Sequence, residues 1–148
     1  MGGASEHPPR LVILRHRGGA EDDPLVALVG CCSGYSCRLQ RMLVGARFLA
    51  SLRELDGIDL DKVLEVCAQV AAGMAHELPA REVHQLRSGP RGAASRVRAS
   101  DQAQAWRCAL QVNSPSARRL HWWAVPSTDG QVIEFANVGL HDDFSIPE

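Results

Sequence analysis

The stretch of chain from residue 118 to residue 143, RRLHWWAVPSTDGQVIEFANVGLHDD, contains side chains that can bind phosphate and transfer protons. Arg118 and Arg119 open the stretch, His121 follows, and His141 lies near its end. A histidine with an ordinary pKa of about 6.5 can act as a base or an acid near neutral pH, and a planar guanidinium can bind two phosphate oxygens. These residue types therefore point to phosphate chemistry. His121 adjoins Trp122, and we interpret it as a packing residue. We interpret His84 as structural or solvent-facing.

Cleavage of a phosphodiester without a metal ion would use such groups in three ways. The attacking hydroxyl must lose a proton, the leaving oxygen must gain one, and the charge of the phosphorane must be stabilised. The three cysteines of the CCSGYSC segment, residues 31–37, could bind a metal ion only together with a second cluster of ligands, and the sequence shows none. We therefore predict no metal site, and we predict no other cofactor.

The charge of the chain is strongly segregated, although its formal net charge is only −1. Residues 120–148 carry five carboxylates and neither lysine nor arginine. Residues 81–119 carry only Glu82 and Asp101 against eight arginines, which are Arg81, Arg87, Arg91, Arg96, Arg98, Arg107, Arg118 and Arg119. This pattern indicates either a local site for a polyanion or a solvated, arginine-biased loop.

Length and composition favour a single soluble domain. The chain has 148 residues, of which 45% are hydrophobic and 22% are charged. It has no apolar run as long as the roughly 18 residues of a membrane span. The first residues lack the pattern of a signal peptide, and five cysteines, an odd number, fit reduced thiols. We therefore expect a cytoplasmic protein that does not bind membranes.

The periodicity of apolar residues predicts the elements that position these side chains. Residues 1–41 differ in composition, and we expect an N-terminal extension that contributes little to the core and need not be ordered. From residue 42 onwards, Leu43-Val44 predicts a short strand, and Phe48, Leu49, Leu52 and Leu55 predict a helix. Asp59 can cap a second helix that Gly73 ends, so that the two form a helical hairpin.

The second half of the chain reads as a loop at residues 88–101 and then as strands of an antiparallel sheet. Aromatic and branched residues predict strands at Ala105–Val112, Arg119–Val125 and Gln131–Val138, with a hairpin turn at residues 127–130. Alternation places Leu120, Trp122 and Ala124 on one face of the middle strand, and we expect Trp122 in the core. Trp123 lies on the other face, where it could stack on a base or on a partner side chain.

The order of these elements, together with four segments, resembles the RelE/ParE superfamily of toxins from type II toxin–antitoxin pairs. The segments are EVHQLRSG, AWRCAL, RRLHWWAV and VIEFANVGLHDD, and the resemblance covers about residues 42–144. It implies an α+β, RelE-like fold in residues 42–148: a short N-terminal strand, a two-helix hairpin and a three- to four-stranded antiparallel sheet.

The resemblance also assigns roles to particular residues. Arg119 matches the family arginine that contacts the scissile phosphate, and His141 takes the place of a catalytic arginine or histidine. Arg107 stands on the strand where the family has lysines, and no tyrosine follows His141. The candidate catalytic residues are therefore His141 and Arg119. The candidate substrate-binding residues are Arg107, Arg118, Trp123 and Arg87.

Three functions remain open on this basis. The first is a RelE-like, metal-independent endoribonuclease that cuts mRNA on the ribosome and is neutralised by a cognate antitoxin, through which it also contacts operator DNA. The second is a ParE-like inhibitor that binds DNA gyrase without nuclease chemistry. The third is a catalytically silent family member that only binds an antitoxin or DNA.

Overall fold

A computed structural model describes residues 15–16, 40–54, 56–57, 59–111, 117–128 and 130–148, and at residues 15–16 it describes the backbone alone. These residues form two α-helices and a mixed β-sheet, so the α+β class expected from the sequence is confirmed. None of the helices in the described part of the chain has the length and apolar character needed to cross a membrane.

The two helices begin and end near the residues that the sequence indicates. Helix α1 spans Phe48–Glu54 and helix α2 spans Leu60–Ala71. Asp59 is the N-cap of α2, and its side chain accepts a hydrogen bond from the Lys62 backbone N–H at 3.2 Å. Gly73 follows the helix with a φ of +73°, a left-handed conformation that glycine adopts without strain. Both predicted ends of α2 are therefore confirmed.

The sheet is an antiparallel meander to which two parallel strands are added. Strands β3 to β6 follow one another in space as they do in sequence, and each is antiparallel to the next. Strand β2 lies parallel to β6, and β1 lies parallel to β2. The strands are β1 Arg15–His16, β2 Arg41–Val44, β3 His84–Gln85, β4 Gln104–Ala109, β5 Arg118–Ser127 and β6 Gly130–Leu140.

Compared with the predicted strands, β4 is shorter, while β5 and β6 are longer. The hairpin between β5 and β6 is confirmed, since Ser127 pairs with Gly130. Asp129 in that turn and Val112 at the predicted end of β4 lie outside the described residues. The predicted loop 88–101 contains only isolated bridges, such as Arg87 with Ser95.

Residues from the predicted extension belong to the sheet. Arg15 pairs with Leu43 and His16 pairs with Val44, which makes β1 an edge strand. Strand β2 begins at Arg41, so the predicted boundary at residue 42 falls inside a strand. The other residues of positions 1–39 lie outside the described part of the chain.

A β-bulge in β6 determines which side chains face which way. His121 pairs with Asn137, but the next residue, Trp122, pairs with Phe135, so that Ala136 is an extra residue in β6. Because of this extra residue, Phe135 and Val138 both face the helices although they are three positions apart. The bulge thus allows apolar side chains from both halves of β6 to face the core.

Each face of the sheet packs against its own hydrophobic cluster. On the helical face, residues of α1 and α2 pack with Leu120, Trp122 and Phe135, so the core position predicted for Trp122 is confirmed. The opposite face has a smaller cluster, formed by Leu86, Ala103, Ala105, Trp123, Ala136 and Ile146. The C-terminal segment, which comprises residues 141–148, therefore covers part of the face that carries no helix.

Beyond the end of β2, the free edge of β6 is closed by α1. The Val138 N–H donates to the Ser51 hydroxyl at 2.9 Å, and that hydroxyl donates to the Phe48 carbonyl at 2.6 Å. Gly45, which ends β2, lies so close to the sheet that a Cβ atom there would meet the Phe135 carbonyl oxygen at 2.9 Å. A glycine is therefore required at this junction.

A buried ion network lies on the opposite face beside Trp123. Arg98 is 6% exposed and forms ion pairs with Glu134 at 2.9 Å and with Asp101 at 2.6 Å. Hydrogen bonds from Arg98 to both carboxylates raise its pKa. Its guanidinium lies 4.9 Å from the centre of the Trp123 ring, a cation–π distance. Two carboxylates and an aromatic face thus compensate one buried cation.

This network predicts a large loss of stability when Glu134 is neutralised. Glu134→Gln leaves the buried Arg98 with one carboxylate, and we expect the free energy of unfolding to fall by about 3 kcal/mol in chemical denaturation. The control is Glu54→Gln, which breaks an exposed pair with Arg47 and should cost no more than about 0.5 kcal/mol. Equal losses in the two variants would contradict the role assigned to the network.

Candidate active site

Arginine and histidine side chains meet on the opposite face of the sheet, next to the Trp123 cluster. In the register of the strands, Arg107 of β4 lies between His84 of β3 and His121 of β5. Arg119 lies two residues before His121 on the same strand, and its partners on the adjacent strands are Ala109 and Gly139. The alternation of side chains along the strands therefore places two arginines and two histidines on one surface.

Arg119 is a buried cation with incomplete hydrogen bonding. Its side chain is 8% exposed, and Nη2 forms an ion pair with the Glu82 carboxylate at 3.0 Å. Nε and Nη1 are buried and have no hydrogen-bond partner among the described residues. An unmatched buried N–H is costly, and an anion that accepted both would remove that cost. The Glu82 side chain is 54% exposed, so the ion pair of Arg119 lies at the surface on its carboxylate side.

Arg107 forms hydrogen bonds with both His84 and His141. Its Nε donates to Nε2 of His84 at 2.7 Å, and its Nη1 donates to the backbone carbonyl of His141 at 3.0 Å. The guanidinium also lies 5.1 Å from the centre of the Phe144 ring. Burial, followed by repulsion from Arg119, lowers the pKa of Arg107. The strand register makes the two arginines diagonal neighbours on one face, and their charges repel each other.

The contacts of His84 fix its tautomer. Arginine can only donate, so Nε2 of His84 must accept the hydrogen bond from Arg107 and carries no proton. The proton then lies on Nδ1, which is 2.7 Å from the Glu82 carbonyl and donates to it. Burial is the main cause that lowers the pKa of His84, and Arg107 and Arg119 lower it further. The ring is therefore neutral, with the lone pair of Nε2 pointing at an arginine.

His121 is a buried, neutral histidine, which agrees with its interpretation as a packing residue. It is 0% exposed, and its Nδ1 lies 3.2 Å from Oδ1 of Asn137. Burial lowers its pKa to about 4, although the hydrogen bond with Asn137 acts in the other direction. Gly139 gives the ring space, because a Cβ atom there would lie 3.3 Å from Cε1 of His121.

His141 lies at the edge of the cluster rather than inside it. It follows the last residue of β6, and its backbone N–H donates to the Ala117 carbonyl at 3.1 Å. Its side chain is 54% exposed, and Nδ1 is 2.8 Å from the Asp142 carboxylate. The hydrogen bond between His141 and Arg107 is made by the backbone carbonyl of His141. The imidazole is thus accessible to a ligand and is oriented by a carboxylate.

The other three predicted binding residues lie apart from this cluster. Arg118 alternates to the helical side, where its guanidinium donates to the Asp56 carbonyl at 3.1 Å. Arg87 is exposed and donates to the Ala93 carbonyl within its own loop. Trp123 is 2% exposed, and its indole N–H donates to the Pro147 carbonyl at 2.8 Å. The C-terminal segment and Arg98 cover the Trp123 ring, so it has no face open to a base in this conformation.

Two groups that sequence reasoning did not assign to the site belong to it, namely His84 and Glu82. His84 was expected to be structural or to face solvent. The two-residue strand β3 is too short for a periodicity, so the pairing of His84 with Arg107 leaves little trace in the sequence. The segment EVHQLRSG places both groups just before the arginine-rich loop, which is the one available indication. Within the described residues, no group of three or more His, Cys, Asp or Glu side chains is arranged to hold a metal ion.

Comparisons with known proteins add no assignment: no family model matches the chain, and neither a curated protein nor a solved structure matches it significantly.

The depressed pKa of His121 predicts that stability depends on pH. Between about pH 6.5 and pH 4 the unfolded chain binds a proton at this residue and the folded protein does not, so stability falls as the pH falls through this window. We expect a loss of up to about 3 kcal/mol from this group, measured as denaturant midpoints against pH. His121→Gln should show a smaller slope than the parent. An unchanged slope in His121→Gln would contradict this account.

Proposed function

We propose that the protein is a RelE-like, metal-independent endoribonuclease that cuts mRNA. The observation that supports this most directly is the joint position of Arg107 and Arg119 with His84 on the sheet face opposite the helices. Arg119 offers two unmatched N–H groups to a phosphate, and Arg107 lies beside it. Such a pair suits the negative charge that develops on the phosphorane during cleavage.

In this proposal, His141 donates the proton that the leaving oxygen needs. Its imidazole is exposed and hydrogen-bonded to Asp142, and its backbone carbonyl is bound to Arg107. A phosphate bound by Arg107 would thus lie next to the residue that carries the acid, because Arg107 is bonded to the backbone carbonyl of His141. Positioning of this kind contributes much of the rate of phosphoryl chemistry when no metal ion is used.

The resemblance also suggests partners. RelE-type toxins act on mRNA at the ribosome and are neutralised by an antitoxin, so we propose a cognate antitoxin for this protein as well. Co-expression with the neighbouring reading frame should give a stable complex and restore growth. A protein that is harmless when expressed alone and binds nothing encoded beside it would argue against a toxin.

A second candidate function is binding without nuclease chemistry, as in ParE-like inhibitors of gyrase or a silent family member. One observation favours it: Glu82 already neutralises Arg119, and Asp142 stands next to His141. A gyrase supercoiling assay beside the RNA assay distinguishes the two functions. Inhibition of supercoiling with intact RNA would select the second candidate.

The nuclease proposal predicts large effects from two substitutions. With purified ribosomes and mRNA, Arg119→Ala should lower the cleavage rate about a hundredfold, which corresponds to about 3 kcal/mol of transition-state stabilisation. His141→Ala should lower it about a hundredfold to ten-thousandfold, as expected for the loss of a general acid.

The control for both variants is Arg53→Ala, which removes an exposed arginine in the last turn of α1 and should cleave at the parent's rate. Circular dichroism must show that all three variants are folded. The proposal fails if the parent leaves mRNA intact on ribosomes, or if Arg119→Ala and His141→Ala cleave as fast as the parent.

A further inference from the structure

A second histidine, His84, contacts the arginine pair through its ring, whereas the hydrogen bond of His141 with Arg107 is made by the backbone carbonyl. His84 contacts Arg107 through Nε2 at 2.7 Å, and it shares with Arg107 and Arg119 the face opposite the helices. Its ring is exposed at the edge strand β3, whereas His121 is fully buried. His84 is therefore the histidine that is both accessible and in contact with the phosphate-binding pair.

The hydrogen bonds of His84 describe a base whose lone pair is already engaged. Nδ1 donates to the Glu82 carbonyl, which leaves Nε2 as the one position that can accept a proton. That position now accepts the N–H of Arg107. A phosphate that drew the Arg107 guanidinium toward its oxygens would free Nε2 next to the bound anion.

We propose that His84 is the proton acceptor of this site, kept unprotonated by Arg107 until an anion binds the two arginines. This inference rests on the proposed nuclease function for its chemistry. Nε2 of His84 takes the proton of the 2′-hydroxyl, and the 2′-oxygen forms a bond to phosphorus. The bond from phosphorus to the 5′-oxygen breaks, and that oxygen takes a proton from His141. The products are a 2′,3′-cyclic phosphate and a 5′-hydroxyl, with atoms and protons balanced.

The charged groups that face His84 determine how it responds to an anion. These are Arg107 from β4, Arg119 from β5 and Glu82 from its own segment. The two arginines disfavour the imidazolium, and Glu82 favours it. An anion that neutralised the arginines would reverse the balance and favour protonation, which couples anion binding to proton uptake at this residue.

The first experiment needs no catalysis. Sulfate serves as the probe, because it is fully ionised across the pH range of histidine titration. The ring signals of each histidine are followed by NMR from pH 5 to pH 8 with and without sulfate. We expect sulfate to raise the pKa of His84, while the ring of His76, which lies against Trp106, does not respond. A His84 titration that sulfate leaves unchanged overturns the proposal.

The second experiment separates proton transfer from positioning. His84→Gln keeps an oxygen that can accept from Arg107 but has no titrating group. If His84 is the proton acceptor, this variant loses about a hundredfold or more in kcat with little change in KM, and its pH–rate profile loses the acidic limb. A variant that keeps the parent's rate and acidic limb shows that His84 only positions Arg107, and it also overturns the proposal.

The two experiments distinguish this proposal from the proposed function. If the parent does not cleave RNA but sulfate shifts the titration of His84, the nuclease function fails, and so does the catalytic role of His84; its coupling to an anion site stands. If the parent cleaves RNA and His84→Gln is unaffected, the nuclease function stands and the role of His84 fails. Because His84 is exposed on a two-residue edge strand, His84→Gln is expected to fold, which its denaturation midpoint checks.

Discussion

The pairing of β5 with β6, with its bulge at Ala136, is the constraint on which the rest of this structure depends. The side chains of a strand alternate strictly, so an error of one residue would exchange the two faces of the sheet. The bulge allows Phe135 and Val138 to face the helices while Asn137 and Gly139 face the other way beside His121 and Arg119. One extra residue therefore has two effects: it places Phe135 and Val138 in the hydrophobic core, and it brings Asn137 to the ring of His121. A deletion at this point would disturb packing and site together.

Two buried arginines on this face are compensated in different ways. Arg98 pairs with two carboxylates and lies against Trp123, so its charge is balanced within the fold. Arg119 has one half-exposed carboxylate, and its Nε and Nη1 have no acceptor among the described residues. A cation that only stabilised the fold would be expected to resemble Arg98, because incomplete pairing of a buried charge costs stability. The arrangement around Arg119 is the one expected where a ligand supplies the missing acceptors.

The sequence predicts what depends on local pattern, and it fails where distant segments meet. Caps and periodicity locate both helices, and alternation assigns Trp122 to the core, since these properties depend on neighbours along the chain. The candidate site is anticipated only in part: the sequence singles out Arg119 and Arg107, but His84 pairs with Arg107 through a two-residue strand that has no periodicity of its own. Alternation along β5 places Trp123 on the face opposite Trp122, where it could bind a base. What buries it is the C-terminal segment, which lies more than 20 positions away in sequence. Neither contact leaves a local pattern.

The arginines that the sequence concentrates in residues 81–119 are held in place by contacts within the fold. Most arginines of residues 81–119 are engaged within the fold, either with carboxylates or with backbone and side-chain acceptors. Those with such contacts are Arg81, Arg87, Arg98, Arg107, Arg118 and Arg119. Of these six, Arg98 and Arg119 are paired with carboxylates in the described part of the chain, and in the others a hydrogen bond fixes the guanidinium without neutralising its charge. Binding along an extended RNA backbone depends on many cations that replace counterions. In the nuclease proposal, Arg107 and Arg119 bind one phosphate, and the ribosome holds the rest of the mRNA.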